Sequence, residues 1–168
     1  MSKLTSRGFF SKFYSWLPLL ILYISVLNEF DFNYLNLDYF SFNFPFILIF
    51  FFTLKEFKNF DYFLVFIAGL FNDTVIGLPL GVSSLSYILI CIATSYFRNI
   101  TIRPNSTKDW FYFLFVISLI NSINYSILTL FFSFNLVLMS YLVNTFFTFL
   151  FYIVFVSVFN YYLKGLND

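Results

Sequence analysis

One stretch of the chain, from Tyr62 to Phe97, contains a single charged residue, Asp73. A membrane-spanning helix needs about 20 predominantly apolar residues, so this stretch is too long to cross a bilayer only once. Its middle reads Gly77-Leu78-Pro79-Leu80-Gly81, and glycine and proline are the residues that most strongly mark turns. The stretch therefore predicts two short membrane helices joined by a tight turn.

The whole chain has the same apolar character. Of its 168 residues, 61% are hydrophobic and 10% are charged, whereas a soluble domain carries about 25% charged residues. We expect an all-α membrane protein, folded as one domain over residues 1–168 into a compact bundle of six transmembrane helices. The predicted helices lie near Phe13–Phe30, Tyr39–Leu54, Asp61–Ile76, Gly81–Phe97, Trp110–Phe132 and Leu136–Tyr161.

The basic residues test this helix count. With six spans, all nine of them fall at the termini or in alternate connections, on one side of the membrane: Lys3, Arg7, Lys12, Lys55, Lys58, Arg98, Arg103, Lys108 and Lys164. The connections on the other side contain no basic residue, and the first of them contains Glu29, Asp31 and Asp38. Because short cytoplasmic loops are rich in Lys and Arg, the partition predicts a multi-pass protein with both termini in the cytoplasm.

Several classes of function lack the residues they need. The chain has no histidine and one cysteine, Cys91, so it cannot form an internal disulfide, a Cys/His metal site or a Ser-His-Asp relay. The net charge of +1 gives no field that would attract nucleic acid. We expect no catalytic residue, no metal site and no cofactor, and therefore no enzyme.

Asp73 has two possible roles in the predicted turn. At a rise of about 1.5 Å per residue, it lies roughly 18 Å along a helix that begins near Asp61, which is inside the hydrocarbon layer. A turn with Gly77, Pro79 and Gly81 leaves free N–H groups at the start of the next helix, and a carboxylate is a suitable acceptor for them. The alternative is a proton or ion site. The structural role is favoured because no second intramembrane charged residue exists to relay a proton.

Small side chains continue from the turn into the fourth helix. Helices in lipid associate where small residues let their backbones approach, so we expect this face to pack on Ala68 and Gly69. Its members are Gly81, Ser84, Cys91 and Ser95.

Helices 5 and 6 each carry rows of polar residues. They are Ser118, Asn121, Ser122, Asn124, Ser126 and Thr129 in helix 5, and Ser140, Asn144 and Thr148 in helix 6. Hydrogen bonds between helices are the favoured interpretation. The lining of a polar cavity is the other, and the two are compatible.

The segment from Arg98 to Trp110 is the most basic part of the chain, with Arg98, Arg103 and Lys108. We interpret it as a cytoplasmic loop. It can fix the topology and attract anionic lipid, or it can bind a cytoplasmic partner, and both interpretations stay open.

The helix 3–4 region has a specific spacing, Gly69-x3-Asp73-x3-Gly77-x-Pro79-Leu80-Gly81. It follows a short helix that opens at Pro45, and the last helix contains Asn144. In these features, in length and in its short loops, the chain resembles MreD, the small membrane component of the bacterial rod-shape (elongation) machinery. The resemblance covers the whole chain.

The resemblance implies a non-enzymatic scaffold in the bacterial cytoplasmic (inner) membrane, acting in cell shape and lateral peptidoglycan synthesis. The implied partners are a single-pass MreC-like protein, the actin-like MreB, RodA and a class B transpeptidase, besides the lipid bilayer. The implied fold is similar to the substrate-binding subunits of energy-coupling-factor transporters. A small-solute (vitamin-type) binding subunit is therefore the alternative function. Those subunits dock through an Ala-x-x-x-Ala pattern on helix 1, and the predicted helix 1 contains no alanine.

Overall fold

A computed structural model describes residues 16–27, 41–57, 59–101, 105–134 and 137–167, and the regular structure within these residues is helical throughout. The all-α class is therefore confirmed. The six helices are α1 (Trp16–Leu27), α2 (Phe44–Leu54), α3 (Tyr62–Ile76), α4 (Val82–Ile100), α5 (Ser106–Phe131) and α6 (Leu138–Asn167).

The helix starts are set by capping residues rather than by the limits of the apolar runs. The side chains of Asn43, Asp61 and Asn105 each accept a hydrogen bond from a backbone N–H in the first turn of α2, α3 and α5. Asparagine and aspartate are preferred at this position because they satisfy otherwise free N–H groups. The predicted start of helix 2 near Tyr39 was therefore wrong, since residues 41–43 are not helical and α2 begins at Phe44.

Three other predicted boundaries were also wrong, each because a helix continues into polar sequence. Helix 4 extends to Ile100, helix 5 begins at Ser106, and helix 6 extends to Asn167. Consequently Arg98 lies in the last turn of α4 and Lys108 in the first turn of α5, so two of the three basic residues of the predicted loop lie in helices. Arg103, together with the predicted ends of helix 1 and the predicted start of helix 6, lies outside the described residues.

The core of the bundle is built on α2. Every residue from Phe46 to Thr53 is buried, as expected of a helix that is apolar on all sides. The Phe50 ring lies 4.9 Å from that of Phe113 on α5 and 5.7 Å from that of Tyr152 on α6, between ring centroids. The shortest helix, α2, therefore packs against the two longest helices, α5 and α6.

The other helices pack around α2 in neighbouring pairs. α3 packs on α4, α5 on α6 and α4 on α5, and α2 contacts both α4 and α6. On α1, the Tyr23 hydroxyl donates to the Leu64 carbonyl oxygen of α3 at 2.9 Å. Helices that follow one another in the chain and pack side by side run in opposite directions. The helix ends therefore lie at two opposite ends of the bundle.

We call the end formed by Asn43, Asp73, Gly81 and Asn144 the turn end. The basic end is the opposite one, with Lys55, Arg98, Lys108 and Lys164 at or near the ends of α2, α4, α5 and α6. The described basic residues thus lie together. The remaining five (Lys3, Arg7, Lys12, Lys58 and Arg103) lie outside the described residues.

Within the described residues, α5 and α6 are long and apolar enough to cross a membrane by length and composition. α2 has 11 residues, which at about 1.5 Å each is roughly half the thickness of a hydrocarbon core. The structure therefore supports membrane association through two helices.

Candidate functional site at the turn end

Asp73 closes the turn between α3 and α4. Its side chain is fully buried. Its Oδ2 accepts from the backbone N–H of Gly81 at 2.7 Å, and its Oδ1 accepts from that of Ser83 at 2.9 Å. The first N–H groups of a helix have no partner within the helix, so the carboxyl group satisfies donors that would otherwise be buried without acceptors.

Two glycines give the turn its backbone path. Gly77 has a φ of +75° and Gly81 a φ of +104°, both in the left-handed region that favours glycine. The N–H groups of Gly77 and Leu78 both donate to the Asp73 carbonyl oxygen, which ends α3. Pro79 accepts from Val82 through its carbonyl oxygen, and Leu80 is exposed at the tip of the turn.

Gly69 brings α3 and α4 into backbone contact. A Cβ atom built on it would lie 2.4 Å from the Ser84 Cα and 2.6 Å from the Ser84 N, so no other residue fits without moving a helix. The Ser84 hydroxyl donates to the Phe66 carbonyl oxygen at 3.1 Å. Gly69 and Ser84 therefore make the close helix approach that small residues permit in lipid.

The predicted small-residue face of helix 4 meets two helices. Ser84 contacts Gly69, and the Ser95 hydroxyl hydrogen-bonds the Tyr62 hydroxyl, both on α3. Cys91 instead accepts from the Thr53 hydroxyl of α2, at 3.7 Å from its Sγ. The expectation that Cys91 belongs to an α3 contact was therefore incomplete, because α4 lies between α3 and α2.

A cavity of about 250 Å³ opens at the turn end, between the α3–α4 turn and the starts of α2 and α6. Its wall is rich in carboxamide and hydroxyl groups, and the described residues that line it include no Asp, Glu, Lys or Arg. The polar residues that line it are Ser41, Asn43, Asn72, Ser83, Ser86, Tyr87, Asn121, Asn124, Ser140, Tyr141 and Asn144.

Hydrogen bonds between elements fix several of these side chains. Asn121 donates to the Thr145 hydroxyl at 2.7 Å, joining α5 to α6. The Ser86 hydroxyl of α4 donates to Asn124 Oδ1 of α5 at 2.8 Å. Asn144 donates to the Ser41 hydroxyl at 3.0 Å, just before α2. Both interpretations of these polar residues apply, because they join helices and also line the cavity.

The serines of helix 5 behave differently. Ser118, Ser122 and Ser126 are exposed. The hydroxyls of Ser122 and Ser126 donate to carbonyl oxygens four residues earlier in α5. The prediction that this row bonds to another helix was therefore wrong: it lies along an outward groove with Tyr141, Leu142 and Thr145 of α6.

Of the basic residues predicted to act together, the structure describes two. Arg98 donates to the Thr53 carbonyl oxygen at 3.0 Å and forms an ion pair with Glu56 at 3.4 Å, which fastens the end of α4 to the end of α2. Lys108 is exposed. Arg98 thus has a packing role in addition to its effect on charge.

Sequence reasoning missed Asn72, Ser83 and Tyr87. Asn72 donates to the Ser83 hydroxyl at 2.9 Å beside Asp73, and Tyr87 lines the cavity from α4. Ser83 follows Gly81 by two residues, so its position just after the predicted turn was a signal in the sequence. No such signal existed for Tyr87.

Within the described residues, no group of three His, Cys, Asp or Glu side chains could hold a metal ion. No protein-family model, curated protein or solved structure matches the chain. The arrangement can do two things chemically: it can hold two helices in a fixed contact, and it can offer uncharged hydrogen-bonding groups to a molecule in the cavity.

Proposed function

We propose that this chain is an MreD-like membrane scaffold of the lateral peptidoglycan-synthesis complex and carries out no catalysis of its own. The observation that carries the proposal is the match between the MreD-like spacing and defined structural tasks. Gly69 permits backbone contact, Asp73 caps α4, and Gly77 and Gly81 supply the left-handed turn. All of these residues serve one structural feature, the α3–α4 contact and its turn. Residues that act together in this way support a family relation better than the same residue types in unrelated parts of the fold.

The proposed location is the bacterial cytoplasmic membrane, with six helices embedded and the basic end in the cytoplasm. The short helices support this arrangement because α2 is enclosed by other helices rather than by lipid. Periplasm-active reporter fusions after Leu80 and Thr101 test it. The proposal requires activity only at Leu80, and activity at Thr101 would refute the orientation.

The proposed mechanism divides the molecule into a fixed frame and a contact surface. Of the 18 most hydrophobic consecutive residues, 33% are buried in α5 and 17% in α6, so each of these helices has side chains available for lipid or another protein. Exposed side chains on α6 include Leu142, Phe146 and Leu150. Such a surface can receive the transmembrane helices of an MreC-like protein, RodA and a class B transpeptidase, and through them link to MreB.

Depletion of the protein in its native bacterium tests the function. We expect cells to widen and become round, because lateral wall insertion loses its membrane assembly, while the amount of the MreC-like partner in that assembly falls. Re-expression of the wild-type chain is the positive control. Cells that keep their shape and their pattern of wall insertion after depletion would rule the scaffold role out.

The cavity at the turn end favours one alternative, a small-solute binding subunit of a transporter. Pockets lined by a few convergent polar groups are typical of ligand sites. The same depletion separates the two functions, since a transporter subunit would be needed for uptake of a solute and not for shape. The absence of alanine in α1 still weighs against docking to an energy-coupling-factor module.

A further inference from the structure

The cavity at the turn end contains a phenol group that forms no hydrogen bond with the part of the chain that the structure describes. Tyr87 is only 1% exposed and lines the cavity, and its hydroxyl has no hydrogen-bond partner among the described residues. No fully enclosed side-chain N or O atom of the described residues lacks a partner. Tyr87 is one of the residues that line the cavity wall. Buried polar groups without partners are uncommon in folded proteins and call for an explanation.

Four asparagines of the cavity each use one of the two hydrogen-bonding atoms of the side-chain amide within the described residues. Asn72, Asn121 and Asn144 donate their Nδ2 groups to a serine or threonine hydroxyl, which leaves each Oδ1 as a free acceptor within the described residues. Asn124 is the reverse, because its Oδ1 accepts and its Nδ2 has no acceptor among the residues that the structure describes. The bonds that are made hold these side chains in place, so the free atoms are already oriented before a ligand enters.

We propose that this cavity binds a single uncharged sugar ring that carries hydroxyl and N-acetyl groups. The wall mixes free donors with free acceptors, which suits hydroxyls and amides, since each of these both donates and accepts. Among the described residues of the wall there is no Lys or Arg, so these residues offer an anionic ligand no ion pair, and there is no Asp or Glu, so the same holds for a cation. Phe46, Tyr87 and Tyr141 add aromatic surface for the apolar faces of a sugar.

The volume limits the size of the ligand. At about 250 Å³, the cavity lies just below the roughly 300–1,000 Å³ of typical ligand pockets, which suits one ring rather than an oligosaccharide. Such a ring can be a free sugar or the head group of a membrane glycolipid. The inference rests on the cavity and holds whether the chain is a scaffold or a transporter subunit.

The test uses the full-length protein in phosphatidylcholine nanodiscs and saturation-transfer NMR with N-acetylglucosamine as the probe. We expect saturation transfer to the acetyl methyl group and much weaker transfer to glucosamine, which is cationic and lacks the acetyl group. A second set of nanodiscs contains an alkyl glycoside of N-acetylglucosamine. Binding of the free sugar identifies a soluble source, and binding of the glycoside alone identifies a glycolipid. Binding of neither overturns the proposal.

Matched tyrosine variants locate the site. Tyr87→Phe removes a hydroxyl that has no partner among the described residues, so folding should be unaffected while affinity falls about tenfold, the effect of losing one good hydrogen bond. Tyr23→Phe removes a hydroxyl that bonds Leu64 away from the cavity and should leave affinity unchanged. If Tyr87→Phe fails to fold, Ser140→Val serves instead, because it places methyl groups on the cavity wall. Unchanged affinity in the cavity variant that folds would overturn the proposal.

Discussion

The α3–α4 and α5–α6 helix pairs differ in how closely their backbones approach. In the α3–α4 pair, contacts involve the backbone: Gly69 lies against the Ser84 backbone, and Asp73 accepts from the N–H groups of Gly81 and Ser83. The α5–α6 pair is joined through side chains, such as the Asn121–Thr145 hydrogen bond at 2.7 Å. A contact between two backbones cannot be relieved by a change of side-chain rotamer, whereas side chains that bond each other can change theirs. The α3–α4 pair is therefore fixed, and the α5–α6 pair can adjust.

This difference matches the proposed division of labour. A scaffold needs one part that keeps its shape and another that meets its partners. The α3–α4 pair has the close backbone contact, whereas α5 and α6 carry exposed apolar side chains such as Phe115 and Leu142. The cavity lies between these two parts at the turn end, so a ligand there would contact both.

The largest expected effect is at the backbone contact. Gly69→Leu would place a Cβ 2.4 Å from the Ser84 Cα and force α3 and α4 apart. Overpacking costs about 1–3 kcal/mol when side chains can yield, and more when backbone must move. We expect loss of the monodisperse folded protein in fluorescence-detected size exclusion. Ser122→Leu, on the exposed face of α5, is the control and should change stability by no more than about 0.5 kcal/mol. Equal behaviour of the two variants would contradict the comparison.

A smaller effect is expected at the turn carboxyl group. Asp73→Leu leaves the N–H groups of Gly81 and Ser83 without acceptors, at about 1–3 kcal/mol for each buried donor. Asp73→Asn keeps one acceptor oxygen and should lose about half as much. Thermal unfolding in detergent measures both. A stable Asn variant that nevertheless fails to support cell shape would show that the carboxylate has a role beyond capping α4.

The smallest effect is expected between α5 and α6. Asn121→Leu and Thr145→Val each break the same side-chain bond, and a double-mutant cycle isolates its energy. We expect a coupling of about 0.6 kcal/mol, the average for such bonds in a membrane protein. The measurement is again thermal unfolding. If the coupling energy between Asn121 and Thr145 equals the stability lost in Asp73→Leu, the two helix pairs are equally rigid and the comparison fails.

The fold could be predicted from the sequence where the signal was local. Gly77, Pro79 and Gly81 predicted the turn because their conformational preferences do not depend on distant residues. The helix class and the helix count followed from long apolar runs. The end of α4 could not be predicted in this way, because Arg98, in its last turn, donates a hydrogen bond to the Thr53 carbonyl oxygen of another helix.

The site could be predicted only in part for the same reason. Asp73 stands out because it is the one charge in an apolar stretch. The cavity depends on residues from five helices and from the segment before α2, and no spacing in the sequence places Tyr87 beside Asn124 or Ser140. The serines of α5 have the period expected for a helix contact, yet they face outward, because periodicity defines a face and not what covers it.

The central claim, that the chain is a scaffold of the wall-synthesis complex, is tested most directly by affinity purification of a tagged, functional protein from native membranes, followed by mass spectrometry. The matched control is the same purification with the Asp73→Asn variant, which should retain the partners if the carboxyl group only caps α4. The account predicts enrichment of a single-pass MreC-like protein together with RodA and a class B transpeptidase. Enrichment of an ATP-driven transport module without any of these proteins would contradict it.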